Sequence, residues 1–329
     1  MPRTIYFESR PKIIATSGVA GPKECAGCLK DYIQTKLISD VYGEKSFEKA
    51  ESRMLFTAIK NSIANAGISE SEIDAIVAGD LLNQIISSTF AARNFSAGYL
   101  GVYNACATFT EALTFGAMLI DGKYLRNVVC ATSSHFSSAE RQYRYPLELG
   151  CTRPPQSQWT VTGAGSCVLS GSGKGVCVTC ATIGKVVDFG VTDANNMGAA
   201  MAPAAADTIL THFENTRLDP LEYDLIATGD LGALGSRILK DLLWEKGLDI
   251  EKRHVDCGEL VYNLNEGEFQ GGSGAGCSSL VFSSYLYKKM KEKKLRKLLL
   301  VATGALLSST SSQQGESIPG IAHAVSIEI

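Results

Sequence analysis

Two runs of the chain share one pattern of apolar and polar positions. Ile73-Asp74-Ala75-Ile76-Val77-Ala78-Gly79-Asp80 recurs as Tyr223-Asp224-Leu225-Ile226-Ala227-Thr228-Gly229-Asp230, with four of eight positions identical at an offset of 150. Each run stops at Gly-Asp and predicts a short buried strand. A stretch of helical period precedes each, Phe47 to Ala66 and Ala200 to Phe213. A second pair follows in the same order, Ala105-Cys106 with Gly276-Cys277, and an offset of 171 carries through to Ala131-Thr132 and Ala302-Thr303. In both copies a turn of small residues opens a helix of about five turns. A charged exit and an apolar strand come next, Asn127–Ala131 or Leu298–Ala302. Strands alternating with helices predict an α/β protein of two duplicated βαβαβ halves with mostly parallel sheets. The halves meet near Val186, as residues 1–185 and 186–329. The longer second offset places an insertion around Trp244 to Gly267, whose Gly, Glu and Asn content reads as loop.

Composition narrows the class. Of 329 residues, 45% are hydrophobic and 20% charged, which suits a large folded core. A formal charge of −3 supplies no bulk positive field for nucleic acid. The one basic run, Lys288 to Lys297, has helical spacing and reads first as a solvated helix face, with contact to a membrane surface as the alternative. No apolar stretch approaches the ~20 residues of a membrane helix, and the N-terminus lacks signal-peptide architecture, so a soluble chain is expected. Ten cysteines without an export signal point to reduced thiols. Cys25/Cys28 and Cys177/Cys180 suggest a zinc site on spacing. The second pair lies in a strand, where i and i+3 face opposite ways, so small buried side chains are the better account.

Cys106 sits between a strand expected over Leu100–Tyr103 and a helix expected over Thr108–Tyr124, whose buried stripe is Leu113, Gly116, Ala117 and Ile120. Free N–H groups and the helix dipole favour an anion there, which predicts a depressed thiol pKa in an open site. The same turn suits a bound carboxylate, and the bland alternative is one more buried cysteine.

With the Asn104-Ala105-Cys106-Ala107 turn in the first copy, the chain resembles the thiolase and ketoacyl-synthase superfamily. That resemblance implies a layered αβαβα architecture and a cysteine that carries an acyl group with two polar partners from the second half. The first partner position falls at Gly229-Asp230-Leu231-Gly232, where Asp230 is the nearest polar residue. The second falls in Gly271-Gly272-Ser273-Gly274, where Gly272 stands in place of His or Asn. His135, His212, His254 and His323 all lie outside both motifs. Losing one oxyanion donor typically lowers a rate by ~10²–10³, so the pattern implies a retained fold with dismantled catalysis. A residual acyltransferase using Cys106 is the alternative.

Longer runs, among them Gly43–Ser52, Ala139-Glu140-Arg141-Gln142, Met201–Thr208 and Gly315–Val325, resemble the SpoVAD family of sporulation proteins. The resemblance implies no catalytic cofactor and binding of dipicolinic acid, alone or as its calcium chelate, for uptake into the developing spore. It also implies a peripheral place on the inner forespore membrane beside the SpoVA membrane proteins, and the wider superfamily resemblance implies a homodimer paired through the first half's edge strand. A flat dicarboxylate wants cations or N–H donors at two edges. Candidate ligand residues are Cys106, His135, Arg141, Asp230 and Ser273, with Arg144, Arg153, Tyr143 and Tyr145 nearby. Arg141 reads equally as part of an exposed helix face. No acidic cluster marks a metal site, so calcium would be held by the ligand and water.

Overall fold

The computed structural model describes residues 3–143, 152–264 and 270–329. The first run of elements is β1 (Thr4–Tyr6), β2 (Lys12–Ala20), α1 (Pro22–Ala26), β3 (Thr35–Lys36), α2 (Phe47–Ala66), β4 (Ala75–Gly79), α3 (Ile86–Ala92), β5 (Gly98–Gly101), α4 (Thr108–Asp121), β6 (Asn127–Ser134), α5 (Phe136–Tyr143), β7 (Trp159–Thr160) and β8 (Gly163–Ser170). The second is β9 (Val176–Thr182), α6 (Met197–Thr216), β10 (Leu225–Thr228), α7 (Gly232–Trp244), β11 (His254–Asp256), α8 (Cys257–Val261), β12 (Gly272–Ser273), α9 (Ala275–Val281), a π-turn over Phe282–Leu286, α10 (Tyr287–Lys291), β13 (Lys297–Ala305), α11 (Ser309–Gln313) and β14 (Gly320–Glu328).

Local sequence sets these elements. Ser46 caps α2, its Oγ accepting from the Lys49 N–H at 3.3 Å, and Gly67 ends it in the left-handed region. Between the caps, Met54, Leu55, Ala58, Ile59 and Ile63 form one buried stripe. The duplication repeats in backbone detail. Asp74 accepts from the N–H groups of Arg126 and Asn127 at 2.7 and 2.9 Å, and Asp224 from those of Arg296 and Lys297 at 2.7 and 3.0 Å.

The large sheet runs β11-β10-β13-β14-β9-β2-β8-β6-β4-β5. Read inward from its two ends, it gives the same order twice, so β9 takes in the second copy the place of β2 in the first. The sheets are not mostly parallel. β4 pairs in parallel with β5 and β6, and β10 with β11 and β13, but β8 and β14 run antiparallel to their neighbours. An apolar strand has the same composition in either direction, so the periodicity could not distinguish them.

Helices complete five layers. α2 and α3 cover the first half's strands, and α6 and α7 cover the second half's. α4 and α9 lie between the halves, α4 touching β4 and β6 on one side and β13 and β14 on the other. Among the described residues three large apolar clusters fill the layers, with the central one built around Phe109, Leu113, Leu280 and Phe282. Among the described residues no helix is long and apolar enough to cross a membrane.

The stretch expected as a loop at 244–267 contains β11 and α8. Asp256 closes β11 and caps α7, accepting from the Leu231 and Gly232 N–H groups at 2.9 and 3.0 Å. The offset of 171 also changes. The left-handed residue opening the central helix is Ala105 (φ 50) in one copy and Gly274 (φ 110) in the other, an offset of 169. The matching helix ends, Lys123 (φ 60) and Lys293 (φ 59), give 170. The π-turn, which accommodates one extra residue, accounts for the difference.

Candidate functional site

The thiol is carried by a strained turn. Ala105 holds a left-handed conformation without being glycine, and the Thr108 hydroxyl donates to its carbonyl at 2.6 Å. The turn is gripped from both halves. A Cβ on Gly79 would lie 2.1 Å from the Val102 carbonyl oxygen, and one on Gly304 of β13 would lie 2.4 Å from that of Asn104. Only glycine lets these strands approach so closely. Cys106 is thereby fixed at the interface of the halves, buried with Leu81, Ala105, Ala139 and Ala275.

Asp230 faces it from the end of β10. This fully buried carboxylate accepts from the Ser273 hydroxyl at 3.2 Å, the Gly274 N–H at 2.9 Å and the Thr303 hydroxyl at 2.8 Å, and its charge acts on the Cys106 thiol. Burial pushes the Cys106 pKa well above its ordinary value, and the Asp230 charge pushes it further. Burial also raises Asp230, against the pull of its donors. The expected depression of the thiol is therefore reversed. The helix-end N–H groups are outweighed by desolvation and an adjacent carboxylate.

The cavity at Cys106 has a volume of about 40 Å³ and is walled by Leu81, Tyr103, Tyr143, Met197 and Leu307, with Ser273, Thr160 and Glu140 as its polar members. Among the described residues no lysine or arginine lines it. Tyr103 and Tyr143 meet hydroxyl to hydroxyl at 3.2 Å, and Tyr143 donates to the Leu81 carbonyl.

The structure brings Cys106, Asp230 and Ser273 together. It does not bring in His135 or Arg141. His135 is buried, its Nδ1 accepting from the Ser137 N–H at 3.1 Å and its Nε2 meeting the Asp40 carbonyl at 3.0 Å. Burial lowers its pKa, and both nitrogens are engaged in holding the loop after β6. Arg141 is half-exposed and ion-paired with Glu48, because α5 turns its other face, Ser137 to Glu140, inward. Arg153 stands one shell behind the cavity. It pairs with Glu140 at 3.3 Å and lies 5.1 Å over the Trp159 ring. Arg144 and Tyr145 fall outside the described residues.

The other histidines are engaged elsewhere. His212 bonds Thr182 and Tyr223, and His254 bonds Thr228. His323 accepts from the Gly184 N–H at 3.1 Å and faces the Asn104 side-chain amide at 3.2 Å, behind the turn. Thr303 and Glu140 were missed as site residues. Thr303 was visible only as half of a repeat, and Glu140 only as part of a polar helix. Of the cysteine pairs, Cys28 is exposed and Cys25 half-buried, while Cys177 and Cys180 lie in β9. Among the described residues no group of three or more metal-ligating side chains is assembled.

A buried cysteine at the head of a central helix, in a duplicated five-layer fold, defines the thiolase-like class. Solved structures agree. The chain is similar to 3-oxoacyl-[acyl-carrier-protein] synthase III from Aquifex aeolicus VF5, with TM-score 0.59 and 16% identity over 97% of this chain and 100% of that one. It is also similar to Xanthomonas campestris OleA with bound cerulenin, with TM-score 0.64 and 12% identity over 99% and 98%. At these identities the likeness concerns the fold alone. The family model described as Stage V sporulation protein AD (SpoVAD) matches residues 1–328. A curated Stage V sporulation protein AD from Bacillus subtilis (strain 168) is 41% identical over 99% of this chain and 96% of its own length. The chain belongs to the SpoVAD family of sporulation proteins.

Proposed function

We propose that the chain is a non-catalytic binding subunit that takes dipicolinic acid, as its calcium chelate, for delivery into the developing spore. One observation carries the reading. Where an acyl-transferring relative would need a thiolate, Cys106 is a buried thiol beside the charge of a buried carboxylate. Deprotonation beside Asp230 is opposed by charge and by burial, and no described histidine is placed to take the proton. Gly272 adds no side-chain donor for an oxyanion.

The charge around the cavity selects among forms of the ligand. Glu140 is balanced by Arg153, and Asp230, buried beside Cys106, disfavours a free dianion, whereas the one-to-one calcium chelate is neutral. The calcium arrives as cargo, held by the ligand and water. About 40 Å³ is room for a few waters, so a flat ring enters only when the Tyr103–Tyr143 wall opens. Titration calorimetry of the purified chain with millimolar chelate is expected to give saturable heat. Silence with both the chelate and the free acid sinks the reading. The small cavity specifically favours a second reading, a purely structural subunit, which that silence would support. A stable acyl adduct on Cys106 with turnover, seen by mass spectrometry after incubation with acyl-CoA, would instead establish the acyltransferase.

In the spore the chain sits at the inner forespore membrane with the SpoVA membrane proteins, as a homodimer joined along β5. That strand pairs only with β4 among the described strands and carries no charge or proline to guard its outer edge. Leu100, Tyr103, Phe90 and Phe115 stand exposed around it. Sedimentation velocity tests this: a monomer at micromolar concentration removes the dimer from the proposal.

A further inference from the structure

The duplication contains its own control for surface charge. Residues 288–297, which end the second copy's central helix, hold seven lysines and arginines against Glu292, a net +6. The whole chain carries −3, so the remainder carries −9. The equivalent turn of the first copy, residues 118–127, holds Lys123 and Arg126 against Asp121, a net +1. Both turns end on a left-handed lysine and tie to an aspartate through two backbone N–H groups. The fold is therefore satisfied with almost no charge here, and compensation of the helix dipole does not account for the excess.

Among the described residues most of these cations have no carboxylate partner. Lys288, Lys291, Lys293 and Arg296 are exposed, and the one ion pair within the run among the described residues joins Lys294 to Glu292 at 2.9 Å. The patch also has an aromatic component brought from far away in sequence. Tyr32 meets Tyr285 of the π-turn edge-on at 4.8 Å, and the Lys288 and Lys289 ammonium groups each lie 5.1 Å over the Tyr32 ring. α4 lacks the π-turn, and among the described residues no such pair stands beside it.

We propose that this face docks the protein on the surface of an anionic lipid bilayer. Six of the seven cations are lysine, a compact hydrated charge that suits a diffuse field of headgroups. Recognition of individual carboxylates on a polypeptide would favour the bidentate arginine. Tyrosines among the lysines match the composition of segments that rest at a membrane interface. The patch has no long apolar anchor, so the association is electrostatic and salt-sensitive, with a screening length of about 8 Å at physiological ionic strength. It is independent of what the Cys106 cavity binds.

The test is cosedimentation of the full chain with vesicles of phosphatidylcholine alone or with phosphatidylglycerol mixed in. Binding is expected only to the anionic vesicles, reversed by high salt. Near an anionic surface each lysine is worth roughly a fivefold change in partition. The triple substitution Lys288→Gln, Lys291→Gln, Lys293→Gln should then lower partition by about a hundredfold while leaving the melting temperature unchanged. Lys45→Gln with Lys49→Gln, exposed positions on and beside α2, should leave partition unchanged. Equal binding to neutral vesicles, no binding to either, or the same loss in the α2 control overturns the proposal. So does capture of polyglutamate without capture of anionic vesicles, which would assign the face to an acidic protein partner.

Discussion

The two central helices begin alike and are used differently. Each follows a residue of positive φ, Ala105 or Gly274, and at that offset of 169 Cys106 of the first copy corresponds to Ala275 of the second. Each is pressed by a strand from the opposite half. At Cys106 that strand presents Gly304, bare against the Asn104 carbonyl. At the twin position β6 presents Ser134, whose hydroxyl accepts from the Gly276 N–H at 3.1 Å and donates to the Val161 carbonyl at 2.7 Å. The Gly-Asp strand ends also diverge. Asp80 spends both oxygens on backbone, accepting from the Leu82 and Ser88 N–H groups at 2.8 and 2.7 Å. Asp230 turns to two hydroxyls and one N–H, and its charge acts on the Cys106 thiol. The two copies share a scaffold, and their equivalent positions make different contacts at the Cys106 cavity.

Gly304→Ala tests the first difference and should have the largest effect. The added Cβ meets backbone atoms that cannot yield, so about 3 kcal/mol of stability is expected to be lost in urea denaturation, the upper range for overpacking. Ser134→Gly removes two hydrogen bonds at the twin position and should lose only about 1–2 kcal/mol. An indifferent Gly304→Ala would mean that the turn is not gripped as described.

The aspartates come next. An asparagine at 80 must aim its amide at a backbone N–H, leaving buried donors face to face, and should destabilise by about 2 kcal/mol. At 230 the amide can donate to Thr303 while its oxygen keeps the Gly274 N–H, so Asp230→Asn is expected within about 0.5 kcal/mol of the parent. Equal losses at both positions would erase the distinction drawn between the two carboxylates.

Much of this contrast was legible in sequence, and the remainder was not for identifiable reasons. The Gly-Asp repeats placed β4 and β10, and α2 runs over the residues its periodicity marked, because caps and apolar spacing are local signals. Cys106, Asp230 and Ser273 could be grouped because the family resemblance fixes which turns converge. Strand direction was not readable, since β8 and β14 are as apolar as their parallel neighbours. Nor was the burial of Glu140, because α5 is short and polar and its inward face is decided by Thr160 and Arg153 from beyond it. His135 was adjacent to the site in sequence, but a carbonyl in the loop at Asp40 claimed it.

The thiol gives a smaller, kinetic readout. Removing the Asp230 charge relieves the second cause of the raised Cys106 pKa and leaves burial, the first, in place. Asp230→Asn should therefore speed iodoacetamide labelling of Cys106 several-fold at pH 8, read peptide by peptide in a mass spectrum, while Cys277 stays inert. Labelling slowed or unchanged in the variant would show that the carboxylate does not govern the thiol.

The smallest effect lies one turn further along the same helices. Glu111 of α4 corresponds, at the offset of 169, to the buried Leu280 of α9. Burial raises Glu111 to about 7 against an ordinary 4.5, and its Oε2 has no hydrogen-bond partner. Because the folded protein holds this proton more tightly than the unfolded chain, the stability it contributes is complete below pH 4.5 and declines as pH rises through 7. Glu111→Gln keeps the shape and abolishes the titration. The melting temperature of the parent minus that of the variant should therefore fall between pH 5 and pH 8, by a modest amount because the carboxyl is only partly buried. A difference that stays constant would place Glu111 in water, and a rising one would mean that its charged form is the one the fold favours. Either result would remove this acidic position from the contrast with its leucine twin.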